Sequence, residues 1–143
     1  MSDKIFDHSE NNDGVPADIL IVDDVYANVF LMENILNDRF RVKGIGSGNE
    51  LWSYLKVSKP KLILLDLMMP FENGFEILEK LKKNDNYRKI QVIVVSAKDT
   101  KTDVVAAFKL GAADYIVKPI EEKALIAKVL KALHIDELPD LIL

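Results

Sequence analysis

Three runs of four consecutive apolar residues constrain the fold more than any other feature of the chain. They span Ile19–Val22, Leu62–Leu65 and residues 92–95, and none alternates between apolar and polar residues. A strand with one face in water would alternate, so these runs predict strands covered on both faces, as in a parallel sheet. Residues 115–117 predict a further strand, and residues 40–45, which carry charge, suit an edge strand.

Segments with helical periodicity separate these strands. The predicted helices cover residues 25–36, 48–55, 75–83, 102–110 and 121–133. Ser47 and Glu50 have capping-box spacing at the start of the second helix, and Gly111 is a suitable residue to follow the fourth. In two helices a buried stripe is predicted, formed by Val25, Val29, Met32 and Leu36 in the first and by Phe75, Leu78 and Leu81 in the third. The alternation predicts an α/β fold, an open parallel sheet with helices on both faces.

The length of 143 residues favours a single domain with a substantial core. Residues 1–16 are polar and lack the apolar segment of a signal peptide, so we expect a mobile leader there. Residues 17–133 contain all the predicted strands and helices and are expected to form the domain. Residues 134–143, which include Pro139, are expected to be a short tail or a truncated linker.

Composition excludes several classes of function. The chain has 19 basic and 23 acidic residues, for a net charge of −4, and no long basic run, which argues against direct binding to nucleic acid or to an anionic membrane. No apolar run approaches the roughly 18 residues of a membrane span. Cysteine is absent, which excludes disulfides and thiolate chemistry and suits a cytoplasmic protein. The two histidines, His8 and His134, lie near no motif, so a histidine-based hydrolase or metal site is not expected.

Polar residues follow the predicted strands where each one ends. Asp23 and Asp24 follow the first strand, Asp66 follows the third, Ser96 the fourth and Lys118 the fifth. Because the carboxyl ends of parallel strands meet at one edge of a sheet, these side chains should converge. Each residue also has a simpler interpretation when it is taken alone: a helix cap, a turn residue, a local hydrogen bond or a solvated lysine. Convergence of all five favours a functional site.

Three carboxylates at one edge repel one another. Two unit charges 4 Å apart cost about 4 kcal/mol at an effective dielectric constant of 20. A cluster of this kind needs a cation, and oxygen ligands without thiolate or imidazole favour Mg²⁺, with Mn²⁺ as an alternative. Lys118 can neutralise part of the remaining charge.

Four motifs carry a resemblance to a known family. The segments "ILIVDD", "LILLDLMMP", "VIVVSA" and "DYIVKP" occur in this order, and the chain from about Asp18 to Leu133 resembles the receiver domain of two-component response regulators. This resemblance implies a flavodoxin-like (βα)5 fold, a doubly wound parallel sheet with strand order 2-1-3-4-5.

The resemblance also implies a role for each site residue. Asp66 would accept a phosphoryl group from a phosphohistidine on a histidine kinase or a histidine phosphotransfer protein. Asp23 and Asp24, with Asp66 and the backbone carbonyl of Met68, would hold Mg²⁺. Ser96 and Lys118 would bond the phosphoryl oxygens. Such a domain is a signalling module rather than an enzyme, because it catalyses only its own phosphorylation and dephosphorylation.

The output of the domain is implied in the same way. Ser96 would move toward the new charge, and Tyr115, the switch aromatic, would fill the space that it leaves. The peptide bond between Lys118 and Pro119 is expected to be cis. A phosphorylation-dependent dimer is expected through the face formed by the fourth helix, the fifth strand and the fifth helix. The downstream effector or output domain is not indicated.

Three other functions fit parts of the pattern. A phosphatase of the haloacid dehalogenase type also uses an aspartate at a strand end, Mg²⁺ and a lysine, but it expects a second acid where this chain has Met68. A flavodoxin-like FMN carrier expects a loop rich in glycine and hydroxyl groups after the first strand, where this chain has "DDVYAN". A degenerate receiver that acts only as a scaffold would lack site residues, whereas all five are present.

Overall fold

The computed structural model describes residues 17–70 and 72–134, so the predicted leader and residues 135–143 of the predicted tail lie outside it. The strands are β1 Ile19–Val22, β2 Val42–Ile45, β3 Leu62–Leu65, β4 Met68–Met69, β5 Glu72–Asn73, β6 Gln91–Ser96 and β7 Asp114–Val117. The helices are α1 Tyr26–Leu36, α2 Gly48–Leu55, α3 Gly74–Lys83, α4 Lys101–Lys109 and α5 Glu122–Ala132.

Five of these strands form one parallel sheet in the order β2-β1-β3-β6-β7. The short strands β4 and β5 pair with each other in an antiparallel hairpin outside this sheet. Without the hairpin, the order along the chain is 2-1-3-4-5, which confirms the predicted doubly wound fold. Within the described residues, no helix is long and apolar enough to cross a membrane.

The central strands are covered on both faces, as their apolar runs predict. Every residue of β1 and β3 is buried, at most 1% exposed. Leu20 and Val22 belong to one core cluster and Ile19 and Ile21 to the other, because successive strand residues point to opposite faces. The two cores lie on opposite faces of the sheet. Packing on both faces holds the central strands in place, and with them the strand ends that carry the polar residues.

The start of α1 corrects one prediction. Val25 was expected on the buried stripe, but it lies before the helix in an extended conformation and is 47% exposed. Its N–H donates to Asp23 Oδ1 at 2.9 Å, which holds the residue in the turn after β1. Val29, Met32 and Leu36 do form the buried face, together with the carboxylate-bearing Glu33.

The other helices follow the predicted pattern closely. In α2 the Ser47 hydroxyl accepts the Glu50 N–H at 3.1 Å, which confirms the predicted cap. Helix α3 buries Ile77 with Leu78 and Leu81, whereas Phe75, predicted to point inward, is half-buried. Helix α4 ends before Gly111, whose φ of 110° is strained for any other residue.

The β4–β5 hairpin was not predicted. Met68 pairs with Asn73 and Met69 with Glu72. Strands of two residues are too short to show any periodicity, so the sequence contains no pattern from which the hairpin can be predicted. It follows Asp66 directly and therefore borders the edge where the polar residues meet.

Candidate functional site

Three aspartates converge where β1 and β3 end. Val22 and Leu65 are partners in the parallel register, so the residues that follow them emerge side by side. One carboxylate oxygen from each of Asp23, Asp24 and Asp66 lies within 4.8 Å of the others. The convergence predicted from the strand ends is therefore present in the structure.

The ammonium of Lys118 joins two of the three acids. Its Nζ donates to Asp23 Oδ2 at 2.7 Å and to Asp66 Oδ2 at 3.4 Å. Asp23 and Asp66 are nearly inaccessible, at 1% and 4% exposed, and the Lys118 side chain is 15% exposed. Because these groups are shielded from water, their mutual attraction and repulsion are stronger than those of surface charges.

The same local hydrogen bond recurs at three strand ends. Asp23 Oδ1 accepts the N–H of Val25, Asp66 Oδ1 accepts that of Met68 at 3.1 Å, and Ser96 Oγ accepts that of Lys98 at 3.2 Å. Short polar side chains commonly bond the backbone two residues further on. This preference is the sequence signal from which the bonded amides of Val25, Met68 and Lys98 could have been predicted. These three amides were not among the predicted site groups.

The cluster has the properties of a divalent cation site. Three carboxylates against one ammonium leave an excess of two negative charges. Oδ1 of Asp24 is buried and has no hydrogen-bond partner in the described part of the chain. An orphaned buried carboxylate oxygen is costly, and the all-oxygen donor set is the one that Mg²⁺ and Mn²⁺ prefer. The residues present therefore fit the predicted metal.

The environment of Asp66 disfavours its charged form. Burial raises the pKa of the Asp66 carboxyl above its ordinary value, and the negative charge of Asp23 acts in the same direction. The Met68 N–H and the Lys118 ammonium oppose this shift without cancelling it. Without a cation, the folded chain thus carries a carboxylate whose ionisation is unfavourable.

This shift predicts a pH dependence of stability in the absence of divalent cations. The native state keeps the Asp66 proton at pH values where the unfolded chain, with a pKa near 3.8, has lost it, so raising the pH favours unfolding. We expect Asp66→Asn to be more stable than the wild type by an amount that grows as the pH rises from about 4 through the raised pKa.

Urea unfolding in EDTA at several pH values measures this difference. Asp85→Asn is the matched control, because the Asp85 side chain is 95% exposed and its replacement should change stability little at any pH. A stability gain of Asp66→Asn that shrinks with rising pH would contradict the raised pKa.

Ser96 and Tyr115 meet at the backbone of Lys98. Ser96 is fully buried and ends β6, while the Tyr115 hydroxyl donates to the Lys98 carbonyl at 2.8 Å. Burial raises the pKa of Tyr115. The predicted switch has Tyr115 entering the interior after phosphorylation, whereas the structure already has the ring buried, at 7% exposed. The peptide bond between Lys118 and Pro119 is cis, as predicted.

The structure thus brings four predicted residues, Asp23, Asp24, Asp66 and Lys118, into one cluster. Ser96 lies at the same edge of the sheet, on the strand beside β3, and Met68 contacts the cluster through its N–H. The structure therefore defines a flavodoxin-like domain with an acidic cluster at the carboxyl edge of its parallel sheet.

Comparison with known proteins identifies the family. The model of the response regulator receiver domain matches residues 19–130, and the chain belongs to this family. The prediction of a receiver domain of two-component signalling is confirmed.

Individual relatives and a solved structure support the same family assignment. The chain is 37% identical to the response regulator PleD of Caulobacter vibrioides over 114 residues, which are 79% of this chain and 25% of PleD. It is 33% identical to protein PilH of Pseudomonas aeruginosa, covering 79% of this chain and 94% of PilH. The receiver domain of a signal transduction histidine kinase from Syntrophus aciditrophicus superposes with a TM-score of 0.75 at 29% identity, covering 82% of this chain and 90% of that one.

Proposed function

We propose that Asp66 is the phosphoacceptor of a receiver domain formed by residues 17–133. The supporting observation is the unequal bonding of the buried acids. Asp23 has one oxygen bonded to the Val25 N–H and the other to Lys118 at 2.7 Å, whereas Asp66 Oδ2 has only the longer 3.4 Å contact with Lys118. Of these two acids, Asp66 Oδ2 is therefore the more available nucleophile. Asp24 also has an unbonded oxygen, but of the three acids only Asp23 and Asp66 contact the Lys118 ammonium that would stabilise an incoming phosphoryl group.

The donor is a phosphohistidine on a histidine kinase or a histidine phosphotransfer protein. A new bond forms between an Asp66 oxygen and phosphorus as the bond between phosphorus and imidazole nitrogen breaks, and the leaving imidazole takes up a proton. The product is an acyl phosphate on a carboxylate nucleophile. Lys118 and the Ser96 hydroxyl stabilise the charge that develops on the phosphoryl oxygens, which is the main contribution a protein makes to this reaction.

The acidic cluster would hold Mg²⁺, or Mn²⁺ in its place. Asp23, Asp24 and Asp66 would supply carboxylate oxygens, and the Met68 backbone carbonyl would supply a further ligand. When bound, the cation neutralises the negative charge shared by the carboxylates and the phosphoryl group. Without the cation, a phosphoryl group with two negative charges would have to approach a cluster that carries an excess of two negative charges.

Phosphorylation would stabilise the inward arrangement of Tyr115 that the structure shows. Tyr115 is buried and bonded to the Lys98 carbonyl, and Lys98 in turn bonds Ser96. A phosphoryl group that draws Ser96 and the residues after β6 toward Asp66 stabilises this inward arrangement over one with Tyr115 outside. The output is then a change in the surface formed by α4, β7 and α5.

Acetyl phosphate tests the proposed function without the kinase. With Mg²⁺ present, the intact mass should rise by one phosphate, and the modification should be lost at alkaline pH, as expected for an acyl phosphate. EDTA should suppress the reaction to the level of the untreated protein. A base-stable modification, or one that forms equally well in EDTA, would contradict phosphorylation of a carboxylate at a metal site.

We also propose that the phosphorylated chain dimerises through α4, β7 and α5. Val105 and Phe108 on α4 and Val117 on β7 are 38%, 45% and 42% exposed, an apolar content that favours association. Sedimentation velocity with acetyl phosphate and Mg²⁺ should show a dimer that Phe108→Asp abolishes. Phe30→Asp on α1 is the matched control, because Phe30 is 46% exposed, and it should leave the dimer intact. A monomer under phosphorylating conditions excludes this interface.

A further inference from the structure

The carboxylate of Glu72 lies against the first residue of α2. Glu72 belongs to β5 of the hairpin, and Gly48 begins α2 and is buried. The three atoms nearest to a Cβ built on Gly48 all belong to the Glu72 carboxylate, with Oε2 at 2.7 Å and the other two closer. The contact therefore requires a glycine at position 48, and it joins two elements that are far apart in the sequence.

The position suits a negative charge. The amino end of a helix carries a partial positive charge from its unsatisfied N–H groups. The Glu50 N–H is already bonded to the Ser47 hydroxyl, and Glu50 Oε1 accepts the N–H of Gly46 at 3.2 Å. Glu72 adds a second carboxylate at this end, and this one comes from outside the helix. The partial positive charge of the helix end therefore favours this contact between the hairpin and α2.

The hairpin is the segment that carries Met68. Met69 pairs with Glu72 in the hairpin, so the anchored residue lies directly across from the neighbour of Met68. The Met68 N–H bonds Asp66, and the Gly74 N–H closes the base of the hairpin on the Leu67 carbonyl at 3.1 Å. A two-stranded hairpin of this size is only marginally stable by itself. The position of the hairpin beside the acidic cluster therefore depends on its contacts with other elements of the domain.

We propose that Glu72 is a positioning residue for the metal site. By holding the hairpin against α2, it fixes the Met68 carbonyl and N–H beside Asp66, so that cation binding does not have to order them. This inference rests on the proposed function, in which the Met68 carbonyl is a metal ligand. Glu72 itself touches neither the cation nor the phosphoryl group.

Calorimetric titration with Mg²⁺ tests the proposal directly. Glu72→Ala should weaken Mg²⁺ binding about tenfold, the lower end of the range for groups that orient metal ligands. Glu72→Gln keeps the shape of the side chain and a hydrogen-bond acceptor but loses the charge. Its Mg²⁺ affinity should therefore lie between those of wild type and Glu72→Ala. Glu76→Ala removes the same charge from the exposed face of α3 and is the matched control, with an affinity within about twofold of wild type.

Two further readouts separate positioning from a general loss of stability. In EDTA, the amides of Met68 and Gly74 should exchange with deuterium several-fold faster in Glu72→Ala, while amides of β1 should not change. In acetyl phosphate reactions, the Mg²⁺ concentration for half-maximal rate should rise about tenfold, as the affinity falls. The rate at saturating Mg²⁺ should stay within about twofold of wild type, because the bound cation itself orders the hairpin.

A second variant tests the contact independently. Gly48→Ala in the wild-type background should weaken Mg²⁺ binding, because the new methyl group displaces the Glu72 carboxylate. In the Glu72→Ala background the same change should have no further effect on affinity, which is the signature of coupled residues. Additive effects of the two substitutions contradict the contact.

The outcomes separate this inference from the proposed function. If wild type binds Mg²⁺ and becomes phosphorylated, but Glu72→Ala has unchanged affinity and exchange, the positioning role is overturned and the proposed function stands. If wild type binds Mg²⁺ without becoming phosphorylated, the proposed function fails and the affinities still decide the role of Glu72. If wild type binds no Mg²⁺, both are wrong.

Discussion

Replacement of Asp66 by asparagine is expected to abolish phosphorylation by acetyl phosphate or by a phosphohistidine donor. The amide has nearly the shape of the carboxylate but is not a nucleophile, so no acyl phosphate can form. Asp23 and Asp24 should not substitute for Asp66. The Lys118 ammonium bonds Asp23 Oδ2 at 2.7 Å, closer than its 3.4 Å contact with Asp66 Oδ2, and it does not contact Asp24. Labelling should fall below detection by intact-mass measurement.

Asp99→Asn provides the matched control for this loss. Asp99 is an exposed aspartate three residues beyond Ser96, and its replacement removes one negative charge near the same edge of the sheet. It should leave labelling close to wild type. Because Asp66→Asn relieves repulsion within the cluster, that variant should also remain folded, so that loss of labelling cannot be attributed to unfolding. Labelling of Asp66→Asn at the wild-type rate would contradict the assignment.

Replacement of Lys118 by methionine is expected to have two large effects. Methionine keeps much of the side-chain length but leaves Asp23 and Asp66 without their shared cation. Breaking a buried charge pair from one side costs about 3 kcal/mol or more of unfolding free energy. Loss of a charge-stabilising donor should also slow labelling by about a hundredfold or more at saturating Mg²⁺.

The control for Lys118 is Lys128→Met. Lys128 bonds Asp114 Oδ1 at 2.9 Å, but the two side chains are 36% and 17% exposed, so water screens this pair. Its loss should cost no more than about 1 kcal/mol and leave labelling unchanged. Urea unfolding in EDTA and initial labelling rates measure both effects. Equal destabilisation by the two variants would contradict a special role for Lys118 in the cluster.

Mg²⁺ should partly restore the stability of Lys118→Met. A cation that binds only the native state adds stability that grows with its concentration. Because the variant cluster carries one more unit of negative charge, this gain should be larger for Lys118→Met than for wild type. The difference between the two stability gains therefore tests cation binding at the cluster by unfolding measurements alone, without a phosphorylation assay.

The central sheet was predictable because burial on both faces leaves a distinct pattern. The apolar runs at Ile19–Val22 and Leu62–Leu65 coincide with β1 and β3. The errors occurred where local contacts decide the structure. Val25 has the right spacing for the buried face of α1, but the bond from its N–H to Asp23 keeps it out of the helix.

The convergence of the polar side chains was predictable from the topology, whereas their roles stay predictions. Once the strands are parallel, Asp23, Asp24, Asp66 and Lys118 must share an edge, and the structure places them together. The inward position of Tyr115 and the contact between Glu72 and Gly48 depend on how loops from different parts of the chain meet. No spacing in the sequence encodes such contacts.

Chemical trapping of the phosphorylated residue tests the central claim most directly. Borohydride reduces an aspartyl phosphate to homoserine, which peptide mass spectrometry locates by its mass. After reaction with acetyl phosphate and Mg²⁺, we predict homoserine at position 66 and at no other aspartate. Homoserine at position 23 or 24, or a phosphate on a serine, threonine or tyrosine that survives reduction, would contradict the assignment of Asp66 as the phosphoacceptor.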